Sequence, residues 1–183
     1  MKRNQAVIVA VVALVIVAGW WLMRRGGAAR AVDLIATFDS AEKRPTPEMF
    51  AVVDATLNGE SKRAIAVQPH AGTRLIYKVR IPENGWMRVD VGLKPEAWKQ
   101  AGDGVLFMAG ISDGRAFDQL FTQHVNPYSN EGDRRWITSM VDVSPYAGEE
   151  VDLIFNTFAS PPGKVGDERG DLALWGEPQI VIR

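Results

Sequence analysis

The sequence predicts an all-β antiparallel sandwich over residues 32–183, preceded by one N-terminal transmembrane helix. Three observations carry that expectation. From Val32 onward, apolar and polar residues alternate with period two in short runs. Turn dipeptides punctuate the runs: Asn58-Gly59, Asn84-Gly85, Asp103-Gly104, Asp113-Gly114 and Glu131-Gly132. No long amphipathic helix separates them, so the strands must bury their apolar faces against one another.

The helix is read first. Residues Ala6 to Met23 hold no charged side chain, and their only polar groups are the indoles of Trp20 and Trp21. At 1.5 Å of rise per residue such a run spans about 27 Å, close to the hydrocarbon core of a bilayer. Trp20 and Trp21 followed by Arg24 and Arg25 is the pattern of a helix end settling at the headgroup level. The alternative is a cleaved signal peptide, with Lys2 and Arg3 as its basic head and Ala29 and Ala31 as its cleavage site. Cleavage there would give a mature chain beginning at Val32. The two tryptophans and two arginines between the run and that site favour an uncleaved anchor. Residues 24–31 then form a short tether. The basic residues flanking the run nearly balance. The short basic head sets the expectation that the sandwich lies outside the cytoplasm.

Strands are expected at Val32–Phe38, Phe50–Leu57, Lys62–Val67, Arg74–Ile81 and Trp86–Leu93. They continue at Val105–Ile111, Phe117–Val125, Arg135–Val143, Val151–Phe158, Leu172–Leu174 and Gln179–Ile182. In the fourth, Tyr77, Val79 and Ile81 share one face and Lys78 and Arg80 the other. In the fifth, Met87, Val89 and Val91 oppose Trp86, Arg88 and Asp90, which suits a sheet with one wet face. Asn84-Gly85 between these two runs reads as a hairpin turn. Pro95 to Gln100 reads as one helical turn with proline at its start.

The order of certain segments resembles a known family. A glycine-led strand (Asp103-Gly104-Val105-Leu106-Phe107) is followed by Asp133-Arg134-Arg135-Trp136. Next come Val141-Asp142-Val143-Ser144-Pro145-Tyr146-Ala147-Gly148 and a strand ending in Asn156-Thr157. The chain closes on Asp171-Leu172-Ala173-Leu174-Trp175-Gly176-Glu177-Pro178. This is similar to the galactose-binding-like jelly roll of carbohydrate-binding modules. The resemblance implies the fold, and it implies glycan binding, docking to other proteins or a structural role. It also allows a structural calcium, for which the grouped carboxylates Asp167, Glu168 and Asp171 are the candidates; the favoured reading of that group is a solvated acidic turn beside Lys164 and Arg169. No other cofactor is expected.

Chemistry is otherwise sparse. His70 and His124 lie far apart and outside any zinc-binding spacing. No G-x-S-x-G elbow, phosphate-cradling loop or cysteine is present. The sequence therefore predicts no enzyme. With Lys2 and Arg3 set aside, 19 Lys or Arg face 22 Asp or Glu, which excludes a nucleic-acid partner. Aromatic side chains remain as binding groups. Trp136 and Trp175 are expected in the core, and Trp98 as its cap. Trp86 with Arg88 on a strand face, and Tyr128 with Arg134 in a polar loop, are the candidate ligand or partner contacts. Two function classes survive, and a single short domain on a short tether favours the first. The first is a single-pass accessory subunit docking on other membrane protein subunits at the bilayer surface. The second is a membrane-tethered carbohydrate-binding module.

Overall fold

The computed structural model describes residues 32–69, 72–160, 167–169 and 171–183. The expected anchor and tether, with Trp20, Trp21, Arg24 and Arg25, lie outside the described residues, as does His70. Among the described residues no helix is long and apolar enough to cross a membrane.

Eleven strands are present among them: β1 (Val32–Asp33), β2 (Glu42–Arg44), β3 (Phe50–Leu57), β4 (Glu60–Val67), β5 (Thr73–Arg80), β6 (Gly85–Leu93), β7 (Val105–Ser112), β8 (Phe117–Val125), β9 (Ile137–Asp142), β10 (Glu150–Phe158) and β11 (Ala173–Ile182). The first sheet runs β3-β4-β11-β6-β9, with β1 added on β11; the second runs β2-β5-β10-β7-β8. Every pairing is antiparallel. The protein is thus an all-β, two-sheet antiparallel sandwich.

The inward faces follow the alternation read from the sequence. Met87, Val89 and Val91 from β6 and Tyr77 and Val79 from β5 are buried in the main core. At its centre Trp175 of β11, 1% exposed, meets three rings of the opposite sheet edge-on. Their centroids lie 5.1 Å (Phe107), 6.1 Å (Phe121) and 4.9 Å (Phe155) away. Its indole N–H donates to Thr157 Oγ1 at 3.0 Å, so the buried polar edge is satisfied.

Trp136 is buried too, but not between the sheets. It belongs to a second cluster with Leu57, Ala64 and Leu174 on the outer face of the first sheet, against which Trp98 packs. Gly176 makes room for it: a Cβ there would come within 2.8 Å of the indole. This cover explains why Asp90 is fully buried although it shares the outward face of β6 with Trp86 and Arg88. Asp90 accepts a short hydrogen bond from Thr138 Oγ1 and lies 3.1 Å from Lys62 Nζ, which also reaches Glu60 at 2.9 Å.

Three expectations need correction. The strand expected over Val32–Phe38 stops at Asp33, whose carboxylate accepts from the Ile35 and Ala36 amides and turns the chain. The Asn84-Gly85 turn forms, with Gly85 N–H donating to Pro82 O at 3.1 Å, but it joins β5 and β6 in opposite sheets. The true two-residue hairpin is Asn58-Gly59 between β3 and β4, with φ of 49° and 81°. The two last expected strands are one, β11, with an irregularity between Gly176 and Gln179 where Glu177 takes a φ of 40°.

Denaturant unfolding tests this packing. Trp175→Ala should cost about 3–5 kcal/mol, Trp136→Ala nearly as much, and the partly buried Trp86→Ala less than about 1 kcal/mol. A chain starting at Ala31 should keep a β-dominated circular-dichroism spectrum, because both clusters lie within residues 32–183; a helical spectrum would refute the architecture.

Candidate functional site

The loop from Asn126 to Trp136 joins β8 of one sheet to β9 of the other, and its turn residues fold it back on itself. The Asn126 side chain donates to Gly102 O at 3.0 Å and accepts from Ser129 N–H at 3.1 Å. Asp133 accepts from the Asn126 amide at 2.8 Å and from the Asn130 side chain at 2.9 Å. Arg134 donates from Nε to Pro127 O at 3.0 Å and pairs with Glu131 at 2.5 Å. At the apex of this hydrogen-bonded frame stands Tyr128, 50% exposed. A ring held out on a fixed loop loses little further freedom on meeting a ligand. Arg134, read from the sequence as a contact residue, braces the backbone beside Tyr128 through its bond to Pro127 O.

The surface beside Tyr128 holds no large cavity among the described residues. It holds a notch of about 10 Å³ bounded by Leu93, Gln100, Gly102, Asn126, Arg169 and Asp171. Such a surface offers an aromatic face, an amide and a guanidinium to a ligand that lies on it, rather than a cavity that encloses one.

Trp86 and Arg88 are not part of this site. Trp86 sits at the start of β6, opposite Asp142 and Val181, whereas the notch adjoins Leu93 at its other end. Nine strand residues separate the two ends by roughly 27 Å. The indole packs with the Arg183 guanidinium 5.4 Å away, and Arg88 leans towards Asp90 at 3.7 Å. The first described residue, Val32, pairs with Ile180 near this same end, away from Tyr128.

The acidic group divides in two: Asp167 meets Arg169, as an acidic turn there would have it, and Asp171 is buried. Asp167 is engaged by Arg169 through two hydrogen bonds of 2.8 and 2.5 Å. Asp171 turns inward, only 6% exposed, and its Oδ2 has no hydrogen-bond partner; neither has Oδ1 of Asp103. Burial, and after it the charges of Asp103, Asp167 and Glu168, push the Asp171 carboxyl up to about 8. Asp103 is the residue that sequence reasoning missed, because it reaches Asp171 only through the fold. Among the described residues no three His, Cys, Asp or Glu side chains gather as a metal site. The orphaned oxygens of Asp103 and Asp171 are nevertheless of the type a hard cation takes.

A group whose folded pKa is raised is most stabilising while protonated in both states. The contribution of Asp171 to stability should therefore be greatest below the ordinary carboxylate range and be lost as pH rises from about 4 towards 8. Asp171→Asn should flatten that decline in a thermal-melt series; an unchanged slope would mean that the carboxyl ionises freely in the fold.

No protein-family profile matches the chain. An uncharacterized protein of Archaeoglobus fulgidus is 38% identical over 104 residues, covering 56% of this chain and 25% of that protein. The chain thus matches about a quarter of the length of that relative. Among solved structures it is similar to TmCBM61, in complex with β-1,4-galactotriose, with a TM-score of 0.50, 12% identity, and 80% and 90% of the two chains covered. It is also similar to the CBM51-2 and INT domains of Clostridium perfringens ZmpB, with a TM-score of 0.50, 13% identity, and 78% and 28% covered. At these identities the likeness shows the two-sheet sandwich fold alone.

Proposed function

We propose that the sandwich is a non-catalytic carbohydrate-binding module with Tyr128 as its sugar platform. The observation that carries this reading is the half-exposed Tyr128 ring, fixed at the apex of the Asn126–Trp136 loop. A pyranose presents a face of C–H groups and a rim of hydroxyls. The first packs on a phenol ring, and the second hydrogen-bonds to side chains such as Gln100 and Arg169 beside it. The shallow notch suits one face of an extended glycan rather than an enclosed monosaccharide. A structural calcium, if the chain takes one, would find its carboxylates in Asp103 and Asp171 beneath this surface.

The docking-subunit reading rests on the uncharged run of residues 6–23, outside the described residues. In the sandwich, Phe117 supports it: the ring is 43% exposed at the start of β8, near the end opposite Tyr128.

The full chain, extracted in mild detergent, should bind one or more members of a panel of β-linked oligosaccharides that includes β-1,4-galactotriose. With one aromatic platform the Kd should fall near the millimolar range, about −4 kcal/mol. Tyr128→Ala should weaken binding at least about tenfold while leaving the unfolding midpoint in place, and Trp86→Ala should leave binding unchanged. No binding across the panel, together with migration in a large assembly on a native gel, would replace this reading with the docking subunit.

A further inference from the structure

The second sheet is left with an incomplete edge. Strand β2 pairs with β5 only from Arg74 to Ile76, after which the preceding chain turns away through Phe38–Ser40. On its other side β5 is paired with β10 through Arg80. Ile81, just beyond, makes both its backbone bonds on the β10 side, to Glu149 O and from Gly148 N–H. Strand alternation therefore turns the backbone N–H and C=O groups of Lys78 and Arg80 to the open edge, where no strand among the described residues meets them.

That edge is the wall of a groove of about 510 Å³, closed on its far side by Thr37, Ser40 and Ala41. The far wall is pinned: Lys43 Nζ donates to Phe38 O at 2.6 Å and to Ala41 O at 3.2 Å. Tyr77 also lines the groove; it is 2% exposed, and its hydroxyl has no hydrogen-bond partner. The outward charges run in columns. Glu150 and Asp152 of β10 stand opposite Arg80 and Lys78 of β5, with Lys78 Nζ 3.2 Å from Asp152. A further strand on the open side would face a basic column, so its outward positions favour carboxylates.

We propose that this edge is a strand-addition site for an extended segment of a partner protein carrying Asp or Glu at alternate positions. The segment continues the ladder that β2 leaves off, bonding the backbone of Lys78 and Arg80. Its outward carboxylates lie beside the two cations. Its inward residues are short and hydroxylic, and one of them satisfies Tyr77. A second copy of β5 is disfavoured, because it would set Lys78 and Arg80 against like charges. This site is independent of the sugar platform.

Amide hydrogen exchange on the full chain in detergent tests it, with a capped peptide alternating Glu and Thr as the probe and its Lys/Thr counterpart as the control. Without peptide, the Lys78 and Arg80 amides should exchange freely while those of Tyr77 and Val79 are protected. The Glu/Thr peptide should slow Lys78 and Arg80 about tenfold, and the Lys/Thr peptide should not. Lys78→Pro, tolerable where the N–H faces outward, should abolish the effect. The double variant Lys78→Glu/Arg80→Glu should transfer it to the Lys/Thr peptide. Equal protection by both peptides, protection before any peptide is added, or protection that grows with protein concentration alone would each overturn the proposal.

Discussion

Trp175 joins the two sheets through three ring contacts, the cross-sheet aromatic cluster of the described residues. It leaves β11 in the first sheet and packs edge-on against rings from β7, β8 and β10 in the second, each such contact worth about 0.5–1.5 kcal/mol beyond its buried area. The buried indole N–H must also be satisfied, and Thr157 near the end of β10 accepts it. Thr157 is held in turn, since its carbonyl accepts from the Thr73 hydroxyl of β5. The position of β11 relative to β10 is therefore fixed by one aromatic cluster and one hydrogen bond. That position sets where Asp171 and Leu172 emerge, and Leu172 O then receives the Lys94 amide that closes β6. The loop end carrying Tyr128 inherits its shape from this junction.

The outer face of the first sheet is under a different constraint. Trp136 lies over Gly176 and Asp90, and a side chain at Gly176 would collide with it. Gly92 is under similar pressure from Leu57, whose Cδ1 would come within 2.4 Å of an added Cβ. Covering that face costs the sheet its solvent, so Asp90 and Lys62 must meet each other there. Removing one partner of such a pair leaves an uncompensated buried charge, which is far more costly than never having buried the pair. The cluster thus adds specificity to the β4-β11-β6 register, because a slip of one residue would turn Asp90 into the main core.

The parts legible in the sequence were those decided locally. The alternation of Tyr77, Val79 and Met87, Val89, Val91 named the buried faces correctly, because a strand's two faces differ whatever it pairs with. Trp175 was legible as core because it sits among apolar residues within a recognisable run. What escaped was set by distant partners. The three residues of β2 are too few to show a period. Asn84-Gly85 has the chemistry of a tight turn, and nothing in the turn says whether the strands it joins share a sheet. Asp90 reads as solvent-facing until Trp136 is placed over it, and Asp171 reads as a surface carboxylate until Asp103 is brought beside it. Tyr128 was legible as exposed from the polar loop around it, but the role of Arg134 as the brace under that loop was not.

On the proposed sugar-binding reading, a one-ring platform has a physical consequence for how the sandwich is used. Binding must first offset at least about 4 kcal/mol of lost rigid-body freedom. A single stacked sugar face with a few solvent-exposed hydrogen bonds leaves little surplus beyond that. Affinity useful to a cell then has to come from simultaneous contacts, since linking a second weak contact to the first can raise avidity by about 10²–10⁴ without any change at Tyr128. The sandwich has room for this arrangement, because Tyr128 occupies one end while Val32 and the open β5 edge lie towards the other. Within this reading, a partner segment on β5 and a glycan on the Tyr128 loop do not compete for surface, and each raises the local concentration of the other.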